Sequence, residues 1–192
     1  MERTVVRPVA VSDARDLAEA VLRGLPDRWR HTTGVARRAE QVAATVPAGD
    51  RAVLVAAAWL HDIGYAPAAA ETGFHPVDGA ELLRRHRWPE RIVGLVAHHS
   101  GASFVAAAHG LETVLAGYPR EESPVADGLT YADLTTGPQG QPMTVAERLA
   151  EMLRRHGPAS PHALVHHLRA PALIEAADRV EQRLRALTHA LA

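Results

Sequence analysis

The sequence predicts an all-α protein. Three observations carry this reading. Apolar residues recur at helical spacing along most of the chain. No stretch alternates apolar and polar residues as a half-buried strand does. Aromatic residues are only 4% of a chain that is 47% hydrophobic. A core built mainly from Ala, Val and Leu favours closely packed helices over a sheet.

The elements follow in order. Residues 1–12 read as a loose arm. Ala14, Leu17, Ala18, Val21 and Leu22 lie at helical spacing, with Ser12 as the expected cap and Gly24 and Pro26 as stops. A second helix begins near Asp27, carries Val35, Ala39, Val42 and Val46 on one face, and stops at Pro47 and Gly49. Arg51 to His61 is almost wholly apolar and predicts a buried helix. A loop over 66–74 precedes a helix opened by His75-Pro76, since proline suits the first helical position. Further helices are expected over 89–100, 103–116 and 125–134, then a turn cluster over 135–142. Thr144 with Glu147 forms a capping-box pattern opening a helix to Arg155, and a last helix is expected over 171–191.

The 192 residues suit one domain. We expect a core domain over 13–157 and a C-terminal helical extension over 158–192 packed on it. The net charge of -1 gives no basic field for a nucleic-acid polymer or an anionic membrane. There is no Cys, which excludes thiolate catalysis, Cys-ligated zinc and iron–sulfur clusters. No apolar run of secretory or membrane-spanning length occurs, so a cytoplasmic protein is the expectation. All 21 basic residues are Arg, so any cationic phosphate clamp must be a guanidinium.

Histidine stands out, at 12 residues. The run WLHDIGY at 59–65 ends a buried apolar helix in His61 and Asp62. A buried carboxylate costs several kcal/mol unless it is paired or metal-bound. Neutral nitrogen beside charged oxygen suits Fe, Mn, Co, Ni or Zn. His31 lies on the inward face with Val35 and Arg38, and Asp133 interrupts the apolar helix over 125–134. One ion satisfies all four groups. His75 opens a helix, and His98 and His99 end another, so these three are candidates for a second ion bridged by Asp62.

This ordered set, His31, then His61-Asp62, then Asp133, resembles the HD superfamily of metal-dependent phosphohydrolases over about residues 28–135. His75 with Gly79-Ala80, and His99 before Ser100-Gly101, resemble its binuclear branches, which include diadenosine tetraphosphate hydrolases and HD-GYP cyclic dinucleotide phosphodiesterases. The resemblance implies a helical bundle around a central metal site. It implies a first ion on His31, His61, Asp62 and Asp133. A second ion falls to Asp62, His75 and His98 or His99, with His99 favoured for its Ser-Gly neighbour. Asp62 and His99 are the expected catalytic residues. The implied activity is cleavage of a phosphoester or phosphoanhydride by metal-activated hydroxide, with a phosphorylated small molecule, nucleotides included, as substrate.

The chain departs from the phosphate-acting relatives at one place. Where they often carry Lys, three residues after the motif Asp, it has Tyr65. Arg28, Arg38 or Arg120 can supply the missing charge, so Arg28, Arg38 and Tyr65 are the candidate substrate contacts. The GYP signature is absent after His99; Gly117-Tyr118-Pro119 occurs later. Two alternatives stand beside hydrolysis: an HD-fold di-iron oxygenase acting on a small polar substrate, and a non-catalytic metal-bound sensor domain. The histidines at 86, 109, 156, 162, 166, 167 and 189 lie at helix ends, among charged residues or in a polar stretch, and read as non-functional. Homodimerisation is left open.

Overall fold

The helix Arg51–Leu60 is the axis of the molecule: every residue from Leu54 to Leu60 is buried. The structure, a computed structural model, describes residues 9–190. Its helices are α1 (Val11–Leu22), α2 (Pro26–Val42), α3 (Arg51–Leu60), α4 (His75–Arg85), α5 (Glu90–His98) and α6 (Ala102–His109). They continue as α7 (Glu112–Leu115), α8 (Pro124–Leu134), α9 (Val145–His156), α10 (Pro161–Leu164) and α11 (His166–Ala190). Around α3 pack α1, α2, α5 and α8, and α11 lies along the outside of α8. Among the described residues no strand forms, and Thr136 and Pro142 make one isolated bridge. The all-α expectation therefore holds. No described helix is long and apolar enough to cross a membrane.

The core is aliphatic, as the composition requires. Leu22, Val35, Leu54, Leu60, Leu83, Ile92, Val93 and Leu129 are almost fully buried. Trp59 is buried against Trp29, with ring centroids 5.6 Å apart. At Thr144 the capping box forms in both directions, Thr144 accepting from Glu147 N–H and the Glu147 side chain accepting from Thr144.

Several boundaries differ from the sequence reading, each for a local reason. Most of the arm expected over 1–12 lies outside the described residues, but α1 starts at Val11, and Ala10 rather than Ser12 is its cap. The Ser12 hydroxyl donates to Asp13 instead. The helix expected over 103–116 breaks at Gly110, whose φ of +68° terminates α6. The helix expected over 89–100 ends at His98, because Ser100 and Gly101 adopt φ of +49° and +69°. The last helix begins five residues before Pro171, with the Leu168 and Arg169 amides donating to the Val165 carbonyl. Pro171 sits inside it, where its missing N–H forfeits one backbone bond.

The outer helix is tied to the bundle by charge as well as by Leu173, Ala177 and Val180. Asp127 on α8 is buried and accepts from Arg179 Nε and Nη2 and from Arg183 Nη2 on α11. Arg179 is half-exposed, so the net contribution is small. Asp127→Ala should lower stability by about 1–2 kcal/mol in urea denaturation. An unchanged midpoint would mean that the apolar stripe alone holds α11.

Candidate metal centre

The His-Asp pair sits where α3 stops. His61 caps the helix, Asp62 follows, and a tight turn over Ile63–Tyr65 carries the chain back toward α4. That turn lies against the start of α4: a Cβ placed on Gly64 would meet the His75 carbonyl oxygen at 1.9 Å. The glycine is therefore what lets His75 stand beside Asp62. The loop before His75 is shaped from the other side by Asp78. Its buried carboxylate accepts from Thr72 N–H, Thr72 Oγ1 and Gly73 N–H.

Six side chains from five parts of the chain meet here. The donor atoms of His31, His61 and Asp133 form one group, and those of Asp62, His75 and His99 another; within each group the atoms lie within 4.8 Å of one another. Asp62 adjoins both. Its Oδ1 is 3.6 Å from His61 Nε2, 3.4 Å from His75 Nε2 and 3.9 Å from His99 Nε2, and its Oδ2 is 3.9 Å from His31 Nε2. Asp133 contacts His31 Nε2 at 3.0 Å and is also met by the Ser100 hydroxyl and Arg148.

The hydrogen bonds behind these rings show what the site fits. The Nδ1 atoms of His31, His61 and His99 donate to the backbone carbonyls of Gly137, Ala58 and Val96, at 3.0, 2.7 and 2.6 Å. A neutral imidazole has one N–H, so each ring then presents an Nε2 lone pair to the centre, the usual arrangement for metal-ligating histidine. His61 Nε2 is buried with no hydrogen-bond partner. His31 Nε2 faces the Asp133 carboxylate, lone pair to lone pair, and a shared cation resolves that repulsion. The residues present thus fit a divalent ion.

Electrostatics agree. Burial lowers the His61 and His75 imidazoles, well below the usual value at His75, and so keeps them neutral. Burial alone would raise the two aspartates. Positive charge on the rings of His61 and His75, with Arg28, would outweigh it at Asp62, and a proton shared from His31, with Arg148, would at Asp133, so both carboxyls lie below the usual carboxylate range; with the rings neutral, that positive charge falls to a cation among them.

Beyond the donors, Arg28 Nη1 donates to Asp62 Oδ2 at 3.2 Å, and its guanidinium lies 3.7 Å over the Tyr65 ring. Tyr65 stacks on His75 with centroids 4.1 Å apart. Burial and the nearby Asp62 push its phenol up to about 12, so it stays protonated. The charge absent from position 65 is therefore supplied from α2, one helical turn before His31.

Three expected residues are not brought together with these. His98 Nε2 pairs with the Tyr118 carbonyl at 3.1 Å, facing away from the donors. The left-handed residues Ser100 and Gly101 turn the chain immediately after His99, so only the second histidine of the pair points inward. Arg38 donates to Thr135 Oγ1 and to the Tyr131 hydroxyl, outside the cavity around the donors. It shares the His31 face but lies seven residues on, about 10 Å along the helix. Arg120 is exposed and donates to Glu122.

Other residues at the site were not expected. Ser100, Arg148, Arg155, His156, His162 and Arg169 line the same cavity as His31, Asp62 and His75. Two of them left a trace in the sequence. Arg148 falls on the apolar stripe of α9 with Leu149 and Met152, and Arg169 precedes Leu173 by one turn.

A helical bundle with six His and Asp donors gathered at its centre defines a protein of the divalent-metal-binding class. The description HD domain matches residues 28–184, and the chain belongs to that family, which lies within a superfamily of metal-dependent hydrolases. The match runs into the segment expected as a C-terminal extension, as far as residue 184. No curated protein and no solved structure matches the chain.

Proposed function

We propose that the protein is a metal-dependent phosphohydrolase cleaving a phosphoester or phosphoanhydride of a small molecule. The observation that carries this reading is Asp62 standing between two donor groups, with a guanidinium, Arg28, fixed on its outer oxygen. His31, His61 and Asp133 would hold one ion, and Asp62, His75 and His99 a second. A divalent ion there supplies Lewis-acid polarisation of phosphoryl oxygens and lowers the pKa of an attacking water.

The chain's own groups do the rest. Arg28 is pinned by Asp62 and by the Tyr65 ring, so its remaining N–H groups are pre-oriented toward a phosphoryl oxygen. Tyr65 offers a neutral O–H donor. Asp62, held ionised, orients the attacking water by accepting a hydrogen bond from it. His99 commits its one N–H to Val96 and has only the Nε2 lone pair to offer, so it acts as a donor to the metal rather than as a proton carrier.

Elemental analysis of protein purified without chelator, followed by a phosphoester screen with Mn, Co and Ni, tests this. Two ions per chain and turnover are expected. Arg28→Ala should keep its metal and lose about 100-fold in kcat/KM, the usual scale for removing one transition-state donor. Iron in the purified protein with dioxygen uptake and no phosphoester turnover would replace hydrolysis by the oxygenase reading.

A further inference from the structure

The helices beyond residue 136 close over the metal donors with a cationic wall. Arg148 and Arg155 from α9 and Arg169 from α11 line the cavity, together with His156 and His162. Arg169 is only 4% exposed. Both hydrogen bonds it makes, from Nε and Nη2, go to the Ser100 carbonyl, a neutral acceptor. No carboxylate pairs with it among the described residues, and burial pushes its guanidinium down to about 10. A buried guanidinium without a counter-ion is costly, and an anion entering the cavity relieves that cost.

Two further groups are left open on the same wall. Arg148 Nε and His162 Nδ1 are buried with no hydrogen-bond partner. His162 stacks on His156 with centroids 4.0 Å apart. Burial, with the surrounding Arg155 and Arg169, holds these rings down to about 4 at His156; at His162 burial and His156 hold it down to about 3, so both are neutral hydrogen-bonding groups at pH 7. Arg155 donates to Glu151 on its own helix and is partly exposed, which places it toward solvent. The cavity measures about 40 Å³. On this measure one water needs about 10–15 Å³, so this space, which the metal donors also line, admits only small groups.

We propose that Arg155, Arg169 and the His156–His162 pair form an anion receptor for a terminal phosphate, so that the substrate is a phosphomonoester rather than a phosphodiester. This rests on the phosphohydrolase reading and adds to it the residues and the ester class. A terminal phosphate carries about 1.5 to 2 negative charges and has one substituent needing an exit, whereas a diester carries one charge and needs two. Arg148 is already paired with Asp133 and Glu151, which leaves Arg169, without a carboxylate partner, and Arg155 at the open side to meet the charge of the former.

Inorganic phosphate is the probe, titrated calorimetrically into the full chain, metal-free and manganese-loaded. Arg155→Gln should bind phosphate about tenfold more weakly in both states with unchanged metal content. Arg169→Gln should lose more. It also gives up the Ser100 contact, so its folding is checked by thermal melting, and Arg155→Gln carries the test alone if it does not fold. Parental phosphate affinity in Arg155→Gln, or no phosphate binding by the parent, overturns the receptor. In a second arm, p-nitrophenyl phosphate should be preferred over bis(p-nitrophenyl) phosphate, and Arg155→Gln should reduce that preference. A diester preference overturns this inference while leaving the hydrolase reading intact. Arg155-dependent phosphate binding without turnover of either ester supports the receptor and overturns hydrolysis.

Discussion

Asp62→Ala is expected to abolish metal binding and turnover while leaving the metal-free protein folded. The carboxylate is 3% exposed and lies within 3.9 Å of four imidazole Nε2 atoms, those of His31, His61, His75 and His99. Without it, the rings of His75 and His99 keep no charge beside them, the His31 and His61 group keeps only Asp133, and Arg28 loses its partner. Losing an outer-shell partner of a metal ligand already costs about 10–100-fold in affinity, and losing the shared ligand itself should cost more. The stability outcome separates a functional from a structural carboxylate. If Asp62 served only to hold the fold, removing it would strand buried partners at about 3–5 kcal/mol. The rings around it can be neutral, however, and Arg28 reaches solvent, so a loss of only about 1–2 kcal/mol is expected in metal-free urea denaturation. Elemental analysis reads the other half. Metal content and turnover equal to the parent's would remove the central claim.

Gly64→Ala is expected to have a large effect on stability for a single methyl addition. Its Cβ would lie 1.9 Å from the His75 carbonyl oxygen and 2.6 Å from the Gly79 nitrogen, both backbone atoms that no rotamer change can move. The turn after Asp62 and the start of α4 must therefore separate. Overpacking of this kind costs about 1–3 kcal/mol and more where backbone has to shift, so a loss of about 3–5 kcal/mol is expected. Because His75 rides on the displaced carbonyl, metal stoichiometry should fall as well. Gly49→Ala is the control: nothing lies within 4 Å of its Cβ, and it should change stability by less than about 1 kcal/mol. If Gly64→Ala unfolds at the parental urea concentration, the close approach of the turn to α4 does not position His75.

The metal-donor set was largely legible in the sequence because each residue breaks a local rule. His61-Asp62 ends an apolar helix, Asp133 interrupts a buried one, and His31 falls on an inward stripe. Each was out of place by periodicity alone. The charge near Tyr65 was half legible. Arg28 and Arg38 both lie on the His31 face, and periodicity reports a face but not a distance along it. Only the fold shows Arg28 on Asp62 and Arg38 on Tyr131.

The choice between His98 and His99 depends on a backbone reversal at Ser100 and Gly101. Gly101 hinted at it, but positive φ at Ser100 runs against the residue's own preference and is imposed by tertiary context. The residues opposite the donors lay further from view. His156, His162 and Arg155 look like ordinary polar residues in Arg-rich helices, and what distinguishes them is the surface they close against. The sequence by itself determined the helical class and the aliphatic core and singled out the candidate donors, because those follow from spacing and from the cost of burying charge. The tertiary structure alone decided which histidine of a pair turns inward, which arginine reaches the site, and that the C-terminal helices wall it. Those depend on contacts between segments far apart in the chain, which local periodicity does not encode.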